Sequence, residues 1–398
     1  MRRIGSSRVG ETGQGSRNVR ICALFLLSLA LAVPASAGLV TIPLSDFLIF
    51  SGGGTGVAGA SLYIGNVGSN LDFTLGASDT RILGSVYAGG AVSLAQVTAV
   101  GSDGTQSHFD LEPPLGTVGT YPTYPVQYEV VVANGLATLN NQTKIFGTLD
   151  AGSLTTNGTP YVSGPQTIGV GADTFVPIAM TSGVSFTATG TNQVVDNALD
   201  FLDLAPAAMN TYGSLSTSAQ GQTVRLHSGD YYFSSVDADG KATLQIDLSS
   251  GSPINIYVVG DVDFAGQDNR LMVRGPGMSE DEYVLISDPS VQHLASLVNW
   301  TTGGEFMLGG GTGNPGGWGS IFGGVVYSAF SGNGNGVTIG QHIDWYGALY
   351  AYDTIDLADH SRYTYVTTTN GVIPAPGSLL LAGLGTAMVG WLRRTRIA

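Results

Sequence analysis

Short segments of alternating apolar residues, separated by glycine-containing corners, constrain the fold of this chain more than any other feature. A loose phrase recurs at residues 84–94, 147–154 and 347–357, and a related form begins at Gly324. Each copy starts with glycine, continues as a short strand, and turns within one or two residues into another. The chain has 59 glycines and only 11% charged residues. That composition is typical of many tight turns rather than of long charged helices.

The apolar residues within these phrases recur at every second position. Val92 and Leu94, and later Ile355 and Leu357, therefore lie on one face of their strands. Successive short strands with glycine corners and no helix between them favour a β-solenoid or a β-sandwich. We predict a mainly β fold, a Gly-rich right-handed parallel β-helix. A β-sandwich is the alternative, because the spacing is too irregular to give a rung length.

Residues 191–206 break the pattern. Val195, Leu199 and Leu202 fall on one face of a helical projection, and Pro206 provides a stop. The segment predicts a single amphipathic helix that braces the β body and divides it into two β regions.

The N-terminus has the three parts of a secretory signal peptide in order. Residues 1–20 hold five arginines, Ile21–Val33 is apolar, and Ala35 and Ala37 predict cleavage by signal peptidase before Gly38. The alternative, a membrane anchor, is weaker because thirteen apolar residues are fewer than the roughly 20 that a spanning helix needs. The one cysteine lies inside this segment, so the predicted mature body has no disulfide.

The C-terminus combines a Pro-x-Pro segment, an apolar stretch and a basic cluster. Pro374 and Pro376 flank Ala375 and keep the chain extended. The apolar stretch that follows can enter a bilayer as a transmembrane helix, and a terminal cluster of arginines stays on the cytoplasmic side. That cluster consists of Arg393, Arg394 and Arg396.

This order resembles the PEP-CTERM sorting signal. The resemblance implies recognition by an exosortase-like enzyme, export across the inner membrane of a Gram-negative bacterium, and delivery to the cell surface or extracellular matrix. The central glutamate of the family motif is Ala375 here, which makes cleavage the point to check. A plain C-terminal membrane anchor is the alternative. The predicted division is signal peptide 1–37, β region 38–190, helix 191–206, β region 207–371 and sorting tail 372–398.

The body is strongly acidic. Residues 38–371 hold seven basic and 28 acidic side chains, a formal charge of −21. Nucleic acid is therefore disfavoured as a partner, since phosphate binding needs a basic face. Such a surface suits a soluble exported protein or one that holds divalent cations.

Motifs for nucleotide or catalytic chemistry fail on their context. Two G-x-G-x-x-G matches, at 54–59 and 311–316, lack the strand before and the helix after that a dinucleotide site needs. The five histidines show no ligand spacing. Asp359, His360 and Ser361 are neighbours along a strand and so point to opposite faces, which rules out a catalytic triad. We predict no catalytic residues and no cofactor-binding residues.

Acidic and aromatic residues leave two weaker candidates. Asp261, Asp263 and Asp268 form the best acidic cluster, and Asp237 with Asp239 is a second. Carboxylate oxygens are calcium ligands, yet neither cluster has a complete loop pattern, so Ca²⁺ is a weak candidate at either. Several aromatic residues could stack on sugars, namely Trp300, Trp318, Trp345 and many of the tyrosines, although such residues more often pack or line strand faces.

The body resembles the choice-of-anchor A type of bacterial surface domain. The similarity lies in the order of the phrase at 84–94, the predicted middle helix, the strand and Gly-Asp at 256–261, and the late Gly-Ala-Leu-Tyr-Ala phrase. From the two terminal signals, the acidic cysteine-free body and the absence of catalytic motifs, we predict a non-enzymatic surface or matrix protein associated with exopolysaccharide. The alternatives are a glycan-binding adhesin and a polysaccharide-active β-helix enzyme.

Overall fold

The computed structural model describes residues 37–366 apart from 77, 103, 105–125, 197–200, 219, 239, 265, 312–318 and 333. Short strands dominate this part of the chain, with two 3-10 helices at Leu44–Asp46 and Gln292–Leu297. The strands up to residue 175 are β1 Leu39–Val40, β2 Phe47–Ser51, β3 Thr55–Val57, β4 Leu62–Ile64, β5 Asn66–Ser69, β6 Phe73–Leu75, β7 Arg81–Leu83, β8 Val86–Ala88, β9 Val92–Leu94, β10 Ala99–Val100, β11 Glu129–Leu139, β12 Lys144–Ile145, β13 Gly147–Thr156, β14 Tyr161–Val162, β15 Gln166–Ile168 and β16 Thr174–Phe175. The later strands are β17 Thr191–Val195, β18 Phe201–Leu204, β19 Tyr212–Thr217, β20 Thr223–His227, β21 Gly229–Phe233, β22 Val236–Ala238, β23 Thr243–Asp247, β24 Ile254–Val258, β25 Val262–Phe264, β26 Arg270–Arg274, β27 Val284–Leu285, β28 Val298–Thr302, β29 Phe306–Leu308, β30 Ser320–Ser328, β31 Asn335–Ile339, β32 Ile343–Ala351, β33 Thr354–Leu357 and β34 Arg362–Thr364.

Nearly all of these strands pair in parallel and form three ladders, which we call the first, second and third faces. The first face runs β21-β24-β28-β30-β32-β2-β5-β8-β11-β13-β15. The second runs β17-β19-β22-β25-β29-β31-β33-β3-β6-β9-β11-β13. The third runs β18-β20-β23-β26-β30-β32-β34-β4-β7-β10-β12-β14. The long strands β11, β13, β30 and β32 each bend from one face to the next.

This arrangement confirms a mainly β, β-helix-like fold. The β-sandwich alternative is wrong, because a sandwich consists of antiparallel sheets. Among the described strands, antiparallel pairing joins only β26 to β27. Parallel strands cannot be joined by hairpins, and here each strand reaches its parallel neighbour only after the chain has passed the other two faces.

The order of rungs in space differs from their order in sequence. The rung made by β32, β33 and β34 stacks directly on the rung made by β2, β3 and β4. Leu349 pairs with Ile49, and Tyr363 pairs with Tyr63. The first strands of the chain therefore lie in the middle of the stack, with residues 39–168 on one side and residues 191–364 on the other.

Inward rows of apolar side chains form the core. Successive rungs place one residue above another, as in the second-face row Leu215, Val236, Val262, Phe306, Val337 and Ile355, all of them buried. Burying each such side chain contributes about 1.5–3 kcal/mol relative to leaving it exposed. The rows continue across the junction between the two halves, where the rings of Tyr63 and Tyr363 stack at 4.9 Å. No disulfide is needed for such a continuous core.

Residues 172–190, which we call the strap, connect the two outer ends of the stack. The first face includes about ten inter-strand steps of roughly 4.8 Å, a distance that nineteen extended residues can span. Phe175 packs against Phe47, Phe50 and Tyr87 on the outer side of this face. Further along, Phe186 contacts the rings of two tyrosines, Tyr232 and Tyr257. The strap therefore buries an aromatic surface that would otherwise face water.

The predicted helix at 191–206 is wrong. The described residues of this segment form β17 and β18, which pair in parallel with β19 and β20. Leu204 is buried and Leu202 packs against the core, while Phe201 and Asp203 between and beside them are exposed. This alternation has the period of a strand. The helical projection fails because pairing with the next rung satisfies the backbone, buries Val195 and Leu204, and packs Leu202 against the core.

Residues 1–36 of the predicted signal peptide and the whole predicted sorting tail, 372–398, lie outside the described residues. Within the part of the chain that is described, no helix combines the length and apolarity needed to cross a membrane.

Candidate functional site: a groove where the two halves meet

An open groove lies at the corner between the first and second faces, where the two halves of the chain meet. Its walls come from the β2–β3 corner, Gly52 and Gly53, and from the β32–β33 corner, Tyr352 and Asp353. Met180 of the strap lines another side. The cavity volume is about 450 Å³, within the range of sites that hold small organic ligands.

Glycine at the first corner permits the close approach of the second. The Gly52 amide donates to the Ala351 carbonyl at 2.8 Å, and the Gly53 amide donates to the Asp353 carbonyl at 3.0 Å. A Cβ on Gly52 would lie 2.2 Å from the Tyr352 carbonyl oxygen. Any side chain there would therefore force the two corners apart. The groove is held by backbone contacts between segments that lie near opposite ends of the described chain.

Side-chain hydrogen bonds hold the strap beside the groove. Asn70 donates to the Ile178 carbonyl and accepts from its amide, both at 2.7 Å. Three residues further along the strap, the Thr181 carbonyl accepts a hydrogen bond from the Tyr327 hydroxyl at 2.6 Å, and the Thr181 amide donates one to the same hydroxyl at 2.9 Å. These contacts flank Met180 in the sequence, so its position at the groove follows from them.

The groove contains polar groups without internal partners. No side-chain hydrogen bond joins the Asp353 carboxylate or the Tyr352 hydroxyl to another described residue, and both side chains are partly exposed. Ser331 adds a hydroxyl to the same lining. Asp353 is the one carboxylate among the described lining residues. The groove therefore offers an aromatic ring, an acceptor and a hydroxyl to a ligand.

A second polar cluster lies on the outer side of the third face, near the β18 end. Nδ1 of His227 lies 3.1 Å from Asp247, and its Nε2 lies 2.7 Å from Asp203. Arg274 donates through Nε to Asp247 at 2.9 Å. The Arg225 guanidinium lies between the rings of Phe201 and Tyr283.

The charges of this cluster are satisfied internally. Burial of Asp247 opposes its ionisation, but hydrogen bonds from Arg274, Ser249 and His227 outweigh burial and hold the pKa of the carboxyl well below its usual range. Arg274 also donates to the Glu280 carbonyl at 2.9 Å. The cluster thus fastens the excursion between β26 and β28, and its carboxylates are engaged within the protein.

The predicted acidic residues do not converge. Asp261 accepts the Glu305 amide at 2.8 Å and so supports a corner. Asp263 lies in an outward row beside Asp237 of the next rung, and Asp268 occupies another corner with φ 60°. Among the described residues, no group of three or more potential ligands could hold a metal ion.

Two of the three candidate tryptophans lie in the core. Trp300 and Trp345 are 2% and 0% exposed, so they pack inside the stack, as such aromatics more often do, and do not contact sugars. Tryptophan on an inward strand position buries a large apolar area, and that gain decided their orientation. Trp318 and Asp239 lie outside the described residues, as do Ala35, Pro374, Ala375, Pro376 and the terminal arginines.

Two of the groove residues belong to a segment for which the sequence predicted strands and a corner but no binding role. Tyr352 and Asp353 form the corner of the phrase at 347–357, and the alternation there predicted the two flanking strands correctly. Sequence reasoning missed their role because their neighbours Gly52 and Met180 are distant in the chain. It also missed that His342 and His360 occupy equivalent corners of adjacent rungs, where their rings stack at 5.3 Å.

The fold defines the class: a mainly β protein whose parallel rungs form a β-helix-like stack. No family model matches the chain, and no curated protein matches its sequence. Among solved structures, the chain is similar to the crystal structure of an ice-binding protein from an Antarctic bacterium, Flavobacteriaceae. The two are 11% identical, with a TM-score of 0.24, over 88% of this chain and 86% of that chain.

Proposed function

We propose that this chain is an exported, non-enzymatic protein of the bacterial cell surface or extracellular matrix that associates with exopolysaccharide. The groove supports the proposal most directly, because it is open, polar and lined by groups that suit a hydroxyl-rich ligand. The signal peptide and the Pro-x-Pro tail supply the route, through signal peptidase and an exosortase-like enzyme. We further propose that the stack coils as a right-handed parallel β-helix.

Binding fits the groove better than cleavage. Most glycoside hydrolases need two carboxyl groups on either side of the scissile bond. The described lining has one, Asp353. The carboxylates Asp203 and Asp247 lie in the separate cluster, where two arginines and His227 engage them. These observations favour a binding protein over the polysaccharide-active alternative.

Cell fractionation tests the proposed delivery. Three forms are compared: the full chain, a chain that ends at residue 371, and a Pro374→Ala/Pro376→Ala chain, because both changes remove the extended recognition segment. We expect the full chain in the surface and exopolysaccharide fractions, and both altered chains outside them. If the truncated chain distributes like the full chain, sorting through the tail is wrong. An Ala375→Glu chain serves as the matched control and should be processed at least as well as the native chain.

A further inference from the structure

We infer that the groove at the junction of the two halves is a binding site for a neutral saccharide unit, with Tyr352 and Asp353 as its main contacts. The inference rests on the proposed function and deepens it by assigning a site and a ligand class.

The combination of side chains indicates a sugar. A pyranose ring has an apolar face of C–H groups and an equatorial belt of hydroxyls. The Tyr352 ring can pack on the former, and the Asp353 carboxylate can accept hydrogen bonds from two hydroxyls of the latter. Hydrogen bonds to a charged acceptor are worth more than neutral ones. Ser331 adds one group that both donates and accepts.

The polar atoms of the groove are available to a ligand. The carboxylate of Asp353 and the hydroxyl of Tyr352 have no side-chain hydrogen-bond partner among the described residues. Other corner side chains on this edge are engaged: Asn70 bonds the strap, and Asp261 bonds the Glu305 amide. Of Asn70, Asp261 and Asp353, only Asp353 has side-chain oxygens that no other described residue bonds.

The groove is preorganised. Both corners are held by backbone hydrogen bonds to each other, and Tyr352 is further held by its amide, which donates to the Ser328 carbonyl at 2.8 Å. Asparagine and tyrosine side chains fix the strap on the remaining side. A ligand therefore meets a formed site, so little ordering cost is subtracted from its binding energy.

The charge of the groove favours a neutral saccharide over an acidic one. The body carries a formal charge of −21 over residues 38–371, and the single charged group described in the groove is itself an acid. A uronic acid would place its carboxylate near Asp353, and like-charge repulsion in a partly desolvated site would weaken its binding. A neutral hexose polymer avoids that repulsion.

Titration calorimetry with the full exported protein tests the site. The probes are oligosaccharides of glucose and of galacturonic acid, so that neutral and acidic sugars are compared. The groove variants are Tyr352→Ala and Asp353→Asn. Tyr128→Ala and Asp281→Asn are the matched controls, since both residues are exposed and lie outside the groove. Thermal unfolding of each variant verifies that it is folded.

We expect the neutral oligosaccharide to bind more tightly than the acidic one, each groove variant to lose tenfold or more in affinity, and the controls to match the native protein. Absence of neutral-sugar binding, tighter binding of the acidic sugar, or unchanged affinity in both groove variants overturns the inference.

The fractionation experiment is independent of this one, so the two failures are distinguishable. A protein that reaches the matrix while its groove variants bind normally retains the proposed function and loses this site. A protein whose groove variants lose binding, but whose distribution does not depend on the tail, retains the site and loses the proposed delivery.

Discussion

Glycines at the bend between the third and first faces adopt a backbone conformation that other residues avoid. Gly65, Gly147, Gly229, Gly324 and Gly347 have φ values between 131° and 144°. A Cβ on Gly347 would lie 2.0 Å from the Gly324 carbonyl oxygen. Gly147, Gly324 and Gly347 begin copies of the recurring phrase. Gly84, which begins the first copy, lacks a positive φ, but a Cβ there would lie 2.1 Å from the Gly65 carbonyl oxygen. The repeat seen in the sequence therefore corresponds to one structural corner, where close stacking excludes a side chain and three of the four copies also need the unusual dihedral.

Asp247 is a residue outside the core whose removal we expect to be costly. It is 8% exposed and accepts hydrogen bonds from Arg274 and His227. Replacing it with alanine leaves Arg274 without its carboxylate, a loss of about 3 kcal/mol. Denaturant unfolding measures the change. Asp281→Ala, at an exposed position, is the control and should stay within about 0.5 kcal/mol.

The same carboxylate makes stability depend on pH in one direction. Its pKa is lowered in the folded state, so it contributes stability above its unfolded pKa of about 4 and loses that contribution as the pH falls. We expect the native protein to lose more stability than Asp247→Asn on acidification below that value. Parallel pH curves for the two proteins would contradict this assignment.

The strap shows how side chains can replace a strand partner. Asn70 and Asn134 each offer a donor and an acceptor to one strap residue, Ile178 and Phe175 respectively, at 2.7–2.8 Å. An amide side chain reproduces the pattern of a neighbouring strand without requiring the strap to join any of the three faces. Within the strap, β16 pairs instead with β1. Extended chain can therefore lie across the rungs while its backbone is satisfied at intervals.

Removing either amide should loosen the strap without unfolding the stack. Asn70→Ala and Asn134→Ala each leave two strap backbone groups unpaired, a cost of about 1–3 kcal/mol per buried group. We expect faster hydrogen exchange and protease cleavage within residues 172–190, with core strands still protected. Asn157→Ala, at an exposed side-chain pair, is the control. Equal protection of the strap in all four proteins would show that its other contacts, among them the Tyr327 hydrogen bonds and the aromatic packing, are sufficient.

The wrong helix prediction at residues 191–206 also concerns single structural elements. The apolar residues of this segment fit a helical face and also two short strands, so periodicity did not distinguish them. The neighbouring strands β19 and β20 decided the outcome, because they present open edges whose backbone groups need partners. The sequence of residues 191–206 does not show that the open edges of β19 and β20 need a partner.

At the scale of the whole molecule, two halves join through a parallel ladder rather than through a linker. Rows of apolar residues cross the junction, with Ile49 beside Leu349 and Val57 beside Leu357. All four are buried. The contact resembles the interior of either half more than a surface between domains, which is generally more polar. The halves should therefore depend on each other for stability.

Fragment complementation tests that dependence. The chain is divided at Gly183, an exposed strap position where a Cβ would meet nothing within 4 Å. We expect fragments 38–182 and 183–366, produced together, to copurify with little sensitivity to salt, because the junction is apolar. Tyr363→Asp should abolish association by placing a charge in the junction core. Asp356→Ala, exposed on the outer side of β33, should not. Independent folding without association would contradict the continuous core.

The sequence by itself determined the class of local structure. Alternation at Val92 and Leu94 and at Ile355 and Leu357 predicted inward positions correctly, and glycine phrases predicted corners, because strand period and backbone sterics act within a few residues. Tertiary structure alone decided which rungs stack, that residues 191–195 and 201–204 are strands, and that Tyr352 meets Gly52. Those outcomes depend on pairing between segments about 20 to 300 residues apart, and the sequence of one strand does not specify its parallel partner.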